Sequence, residues 1–262
     1  MKNVLLTNDD GYFAPGIRAL QEELRAHYNV VVVAPEKEQS GVGHAFTFHN
    51  PLHYRKFGEE EGAEGFSVSG SPADCVKFSL SYLLSSKPDI IVSGMNIGEN
   101  SGLSAFYSGT VAAAREGAFW GIPSFAFSLC SQAKEYAKEY AKMVPSIINK
   151  VLDSEHQQIP LDTKVFYNVN FPPCSPTEIK GTRVTYQSMA FFDDRYEKVE
   201  VLTHHTKEGY MIYGEKKDIE TWNTYDSRAL MNKYITITPL TFDSTAHWSM
   251  PHLRWLEDSG SK

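Results

Sequence analysis

The sequence predicts an α/β fold: a mostly parallel sheet with helices on both faces, followed by a β-rich C-terminal extension. Up to residue 129, short runs of Val, Ile and Leu alternate with amphipathic stretches of helical period, which is how a sheet covered on both sides reads. Beyond residue 164 strand-like runs continue with little helix between them. A length of 262 residues is enough for one such domain with an appendage.

Residues 4–7 are the first strand candidate, broken by Asn8-Asp9-Asp10-Gly11. Residues 16–27 then place Ile17, Leu20 and Leu24 at helical spacing, and residues 30–34 read as a second strand ending at Pro35. The polar, glycine-containing residues 36–49 form a long loop at the same end of the sheet as the Asp-Asp turn. Ser71-Pro72 opens a helix, because Ser at the N-cap with Pro at the first helical position is a favourable start, and Val76, Leu80, Leu83 and Leu84 give its apolar face.

Residues 89–93 are the next strand and 94–109 a second long loop, which leads into a helix over 110–120. Residues 124–129 are another strand. From Ala133 to Val151 the apolar positions keep a helical period over about five turns. Pro145 should kink that helix or break it just before, because it lacks an N–H and crowds the preceding turn. Further strands are expected at 165–170, 184–187, 199–203, 211–213 and 234–238. The expected division is an α/β core over 1–163, a β-rich extension over 164–256 used in oligomerisation, and a frayed tail at 257–262. Protruding two-stranded arms are marginal alone and are expected to pack on a neighbouring subunit.

Hydrophobic residues make up 42% and charged residues 22%, which excludes collagen-like, coiled-coil and wholly disordered classes. A net charge of -7 argues against a stable long nucleic-acid partner. Cys75, Cys130 and Cys174 lie far apart without metal-ligand spacing and read as buried reduced thiols. The opening residues run straight into the first strand, and no apolar run approaches the roughly 18 residues of a membrane span, so no membrane association and a cytoplasmic location are expected.

The Asp9-Asp10 pair leaves a strand at the carboxyl edge of the sheet, where open α/β sheets bind ligands. Adjacent carboxylates repel unless a positive charge sits between them, and a hard cation such as Mg²⁺ or Mn²⁺ suits carboxylate, hydroxyl and amide oxygens. The alternative is a plain tight turn in which Asp9 caps the next helix. Ser40, beside Gly41 in the first loop, and Asn96 in the second are further oxygen donors at the same edge, although each could be an ordinary loop residue. Ser108, Gly109 and Thr110 precede an alanine-rich helix, where hydroxyls and free N–H groups form an anion cradle or simply an N-cap.

Asn8-Asp9-Asp10-Gly11, Ser40-Gly41, Gly70-Ser71-Pro72-Ala73-Asp74-Cys75-Val76, Ser93-Gly94-Met95-Asn96-Ile97-Gly98 and the run from Ser108 to Gly117 closely resemble motifs of the SurE family of survival-protein nucleotidases. The resemblance is dense over about the first 130 residues and continues through Asn168-Val169-Asn170-Phe171-Pro172 and the run from Ile235 to Leu240. It implies a Rossmann-like domain with a C-terminal extension exchanged between subunits, a homodimer or homotetramer, and metal-dependent hydrolysis of nucleoside 5'- and 3'-monophosphates. It also implies one divalent cation per subunit on Asp9, Asp10, Ser40 and Asn96. Ser71 stands where the family more usually has Thr, and Tyr107 precedes Ser-Gly-Thr where the family is more variable.

The expected chemistry is phosphomonoester hydrolysis by metal-activated water, with Asn8, Asp9 and Asp10 as catalytic residues and Asn8, Gly41, Ser108, Gly109 and Thr110 holding phosphate oxygens. His44 and His247 are candidates for protonating the leaving alkoxide, each against a packed or solvent-facing alternative. A phosphoacceptor signalling domain needs an acceptor Asp at the exit of a later strand, and residues 93–96 (Ser-Gly-Met-Asn) offer none. A nucleotide-binding module without hydrolysis is the other rival, but neither glycine-rich phosphate-binding motif, GxGxxG or GxxxxGK[ST], occurs.

Overall fold

The first apolar run forms β1 (Asn3–Thr7), whose side chains alternate between the two faces of the sheet. Val4 and Leu6 join the apolar cluster on one face, and Leu5 joins the cluster on the other. The computed structural model describes residues 1–58, 65–153, 164–200 and 208–257. Within it follow α1 (Pro15–Arg25), β2 (Asn29–Pro35), β3 (Tyr54–Phe57), β4 (Gly65–Val68), α2 (Pro72–Phe78), β5 (Ile90–Ile97), α3 (Ser104–Tyr107), α4 (Gly109–Phe119) and β6 (Ser124–Leu129). Then come α5 (Ala137–Ala141), α6 (Val144–Leu152), β7 (Val165–Phe171), β8 (Thr182–Val184), β9 (Phe191–Glu200), β10 (Glu208–Lys217), α7 (Asp226–Met231) and β11 (Ile235–Thr241).

Nine strands form one sheet in the order β3-β4-β2-β1-β5-β6-β7-β11-β8, parallel except for the β3–β4 and β7–β11 pairs. β9 and β10 make a separate antiparallel hairpin. From central β1 the chain builds outward through β2 and β4, then returns to place β5 on the other side, so the strand order reverses between β1 and β5. Crevices at such reversals, outside the carboxyl ends of the strands, are where α/β sheets bind ligands.

Leu20 and Leu24 of α1, with Tyr140, Val144 and Ile148 of α5 and α6, pack with Val4, Leu6, Val92 and Phe127 on one face. Val76 of α2 and Ala113 of α4 pack with Leu5, Val33 and Ile91 on the other. Gly16 lets α1 sit against β5, since a Cβ there would lie 2.0 Å from the Met95 carbonyl oxygen.

Several boundaries differ from those read in the sequence. The strand expected at 89–93 runs on to Ile97, through residues read as loop. Its register with β6 slips between Ser93 and Asn96, so Gly94 and Met95 stand opposite the single residue Phe127 as a bulge. The helical period expected from Ala133 to Val151 starts as a 3-10 segment (Ser131–Tyr136) and continues as α5 and α6, with the break expected just before Pro145 falling at Lys142 and Met143. β3, β4 and α7 were not anticipated, and the helix opened by Ser71 widens into a π-helical turn at Ser79–Leu83. Residues 165–171 and 235–241 extend the main sheet and β8 forms its edge, while the expected strand at 199–203 falls in β9 only to Glu200, the rest lying outside the described residues. The tail expected at 257–262 also lies outside them beyond Glu257.

Candidate metal centre

Asn8 shapes the turn after β1. Its Nδ2 donates to the Gly11 carbonyl (2.9 Å), and its Oδ1 accepts from the Gly11 N–H (3.2 Å). Gly11 has φ +105, a left-handed conformation that favours glycine. This closed turn leaves Asp9 and Asp10 facing the crevice, where both line a cavity of about 330 Å³.

The same cavity is lined by Ser40 and Gly41 from the segment after β2, and by Asn96 from β5. Parallel pairing explains the meeting: β1 lies between β2 and β5, with Leu6 opposite Val32 and Thr7 opposite Ser93. The bulge before Asn96 turns its side chain toward the crevice. There its Nδ2 donates to the Gly98 carbonyl (2.6 Å), leaving Oδ1 as the acceptor toward the cavity. The Ser40 hydroxyl donates to Glu38 (2.7 Å).

Asp9 is only 4% exposed and meets the start of α4. The Thr110 hydroxyl donates to its Oδ1 at 2.5 Å, and the backbone N–H groups of Gly109 and Thr110 also bond the carboxylate. The helix end read from sequence as a phosphate cradle thus receives the Asp9 carboxylate, as the dipole favours. Gly109 is required by this approach, because a Cβ there would lie 2.8 Å from the Asp9 Cβ. Burial nevertheless pushes the Asp9 carboxyl above its ordinary value, against those hydrogen bonds. Asp10 is pushed up to about 6 by burial, then by the Asp9 and Glu38 carboxylates.

Of the expected site residues, Asp9, Asp10, Ser40, Gly41, Asn96 and Ser108 share the cavity, while Asn8, Gly109 and Thr110 act behind it on the turn and on Asp9. Neither candidate histidine lines the cavity. His44 bonds Glu116 (2.9 Å), and exposed His247 bonds exposed Asp243 (2.8 Å). Sequence reasoning did not single out Glu38, Glu99, Asn100, Ser104 and Phe192 as lining residues. Phe192 comes from the distant β9–β10 hairpin, whose Lys216 ties it to Glu99 (3.2 Å) and the Ser101 hydroxyl (2.8 Å).

Four carboxylates line the cavity, those of Asp9, Asp10, Glu38 and Glu99, and none of the described lining residues is Lys or Arg. Among the described residues no three His, Cys, Asp or Glu side chains gather as a metal cluster of that kind. The donor set here is two carboxylates, a hydroxyl and an amide, all oxygen, which suits a hard cation rather than one preferring nitrogen or sulfur.

The sequence profile of the family described as Survival protein SurE matches residues 4–194. The chain belongs to the SurE family. It is 41% identical over 260 residues to the 5'-nucleotidase SurE of Aquifex aeolicus, covering 99% of this chain and all of that one. The 5'-nucleotidase SurE proteins of Flavobacterium psychrophilum and Flavobacterium johnsoniae are 38% and 39% identical over 251 residues, with 95% of each chain covered. The crystal structure of the SurE protein from Aquifex aeolicus superposes with a TM-score of 0.81 at 40% identity, over 98% of this chain and all of that one. Among the described residues no helix is long and apolar enough to cross a membrane.

Proposed function

We propose that this chain is a divalent-metal-dependent 5'-nucleotidase, a phosphomonoesterase that hydrolyses nucleoside 5'- and 3'-monophosphates to nucleoside and phosphate. One observation carries the reading: two adjacent carboxylates with raised pKa values share a cavity with Ser40 and Asn96, and the other charged residues among its described lining, Glu38 and Glu99, are also acidic. An anionic ester does not enter such a cavity unaided, so a cation must balance the charge.

Asp9, Asp10, Ser40 and Asn96 are the residues that would hold that cation, one per chain, with Mg²⁺ and Mn²⁺ the fitting ions. When bound, it neutralises phosphoryl charge and lowers the pKa of a coordinated water. The chain's own residues position the reactants. Gly41 and Ser108 face the phosphate oxygens, Asn8 fixes the turn that presents the two aspartates, and Gly109 and Thr110 orient Asp9. Ile97, Tyr107 and Phe192 give the cavity an apolar wall for the nucleoside part of the ester. Both candidate histidines are engaged with carboxylates elsewhere, so we assign protonation of the leaving alkoxide to solvent.

The β9–β10 hairpin is exposed along most of both strands, with Tyr196, Tyr210 and Ile212 uncovered, which supports its exchange between subunits of a homodimer or homotetramer. The acidic net charge supports a small nucleotide partner rather than long nucleic acid, and a cytoplasmic location fits such a substrate.

A panel of nucleoside monophosphates and simple phosphate esters, assayed for phosphate release with each metal before and after chelation, tests the function. The reading expects hydrolysis of nucleotides that chelation stops and Mg²⁺ or Mn²⁺ restores. Activity indifferent to chelation, or self-phosphorylation by a small phosphodonor without release, would overturn it.

A further inference from the structure

Residues 36–53, between β2 and β3, form no helix or strand, yet they carry Ser40 and Gly41 to the cavity. A segment of this kind must be tied down to hold one hydroxyl in place, because every free residue keeps its backbone entropy. On the near side of Ser40, the Gln39 N–H donates to the Asp9 carbonyl (2.7 Å). On the far side, the Gly43 N–H donates to the Tyr107 carbonyl (2.9 Å), and Thr47 bonds Asp74 through its N–H (2.9 Å) and hydroxyl (2.7 Å).

The tie at His44 is of another kind. Its Nε2 lies 2.9 Å from Oε2 of Glu116, whose side chain is only 4% exposed. The other carboxylate oxygen accepts from the Trp120 indole (2.9 Å) and the Lys77 ammonium (3.3 Å). These donors hold the Glu116 carboxyl below its ordinary value, although burial alone pushes it up. An ionised carboxylate only accepts, so His44 carries its proton on Nε2. The His44 ring also lies flat on Phe119, with centroids 5.1 Å apart and planes 13° apart. Glu116 and Phe119 therefore form a socket for one loop side chain, and both belong to α4, the helix whose first turn fixes Asp9.

We propose that Glu116 is a positioning residue for Ser40: by seating His44 against α4 it sets where the Ser40 hydroxyl stands relative to Asp9. The inference rests on the reading that Ser40 and Asp9 serve one cation. From Gly109 to Glu116 the helix rises about 10 Å, a rigid span that links both halves of the donor set to one element. Glu116 touches neither cation nor ester; it acts through His44.

The test uses the full chain, with His44→Ala, Glu116→Gln and the double variant, and His44→Gln to keep a donor near the position of Nε2. Mn²⁺ affinity is measured by calorimetry, and hydrogen exchange over residues 36–49 is followed in metal-free protein. A bond to a charged group is worth enough that His44→Ala should speed loop exchange and weaken Mn²⁺ by about tenfold or more. His44→Gln should restore most of both, and adding Glu116→Gln to His44→Ala should change neither further. Parental exchange and parental Mn²⁺ affinity in His44→Ala, with only a lowered melting temperature, would overturn the proposal. Asp9→Asn, run alongside, separates the two ideas. Parental Mn²⁺ binding by that variant would sink the metal-site reading, whereas its loss beside an unaffected His44→Ala would sink only the role of Glu116.

Discussion

Thr110 sits behind the site, and replacing it with valine removes one oxygen while nearly keeping the side-chain shape. Its hydroxyl is fully buried and donates to a carboxylate that is 4% exposed, at 2.5 Å. A hydrogen bond to a buried charged group is worth about 1.5–3 kcal/mol. The bond stabilises only the ionised form of Asp9, so losing it raises the carboxyl further above its ordinary value. At about 1.4 kcal/mol per pK unit, the shift is about one to two units. The cation needs the ionised form, so the pH at which half the Mn²⁺ binding is lost should move upward by the same one to two units, roughly. For a chain of this size each kcal/mol lowers the melting temperature by about 2–4 °C, so metal-free Thr110→Val should melt roughly 3–12 °C below the parent at neutral pH. Mn²⁺ titrations across a pH series, with thermal melts of the same samples, check both numbers. A variant whose melting temperature and binding profile both match the parent would refute the claim that this hydroxyl holds the Asp9 carboxylate in its charged state.

Gly109→Ala drives a Cβ to within 2.8 Å of the Asp9 Cβ and 3.0 Å of Pro72, so it should cost about 1–3 kcal/mol in denaturant unfolding and lower phosphate release as well. Asp10 has its folded pKa near 6, above the ordinary 3.8, so its contribution to stability is full below about pH 4 and is lost as pH rises through 6. Metal-free Asp10→Asn should therefore gain on the parent in melting temperature from pH 4 to neutrality, and saturating Mn²⁺ should return the lead to the parent. Lys216→Met breaks bonds to Glu99 and Ser101 where both charged side chains are mostly buried, so unfolding measurements should show a loss of about 1.5–3 kcal/mol, and hydrogen exchange over 208–217 should quicken.

The central sheet was legible because each strand that carries the site begins as an apolar run, and Ser71-Pro72 announced α2 as an N-cap followed by Pro, to which the structure adds a capping box with Asp74. Asp9, Asp10, Ser40 and Asn96 were legible as oxygen donors leaving the same sheet edge. The extension of β5 through Gly94 to Ile97 was not, since Gly and Asn are poor strand formers and only pairing with β6 holds them extended. The single Gly94 within a strand-like stretch was the one available sign of a bulge. The apolar period from Ala133 to Val151 was real, Tyr140, Val144 and Ile148 do face the core, and Pro145 marked the break just before it, but periodicity did not register that the segment starts as a 3-10 helix. Thr110 was read as facing a phosphate because its position at a helix start is visible in sequence, whereas the carboxylate that fills that helix end comes from 101 residues earlier. Phe192 on the cavity wall is likewise a tertiary fact, delivered by a hairpin with no local signal of its purpose.

The most direct test of the account is a Mn²⁺ titration of metal-free protein, counting free ion by electron paramagnetic resonance, for the parent and for Asp9→Asn. The account predicts one bound cation per parent chain, weakened by more than about a hundredfold in the variant, beyond what losing a merely supporting residue costs. Equal affinity and stoichiometry in the two proteins, or no binding by the parent, would contradict it.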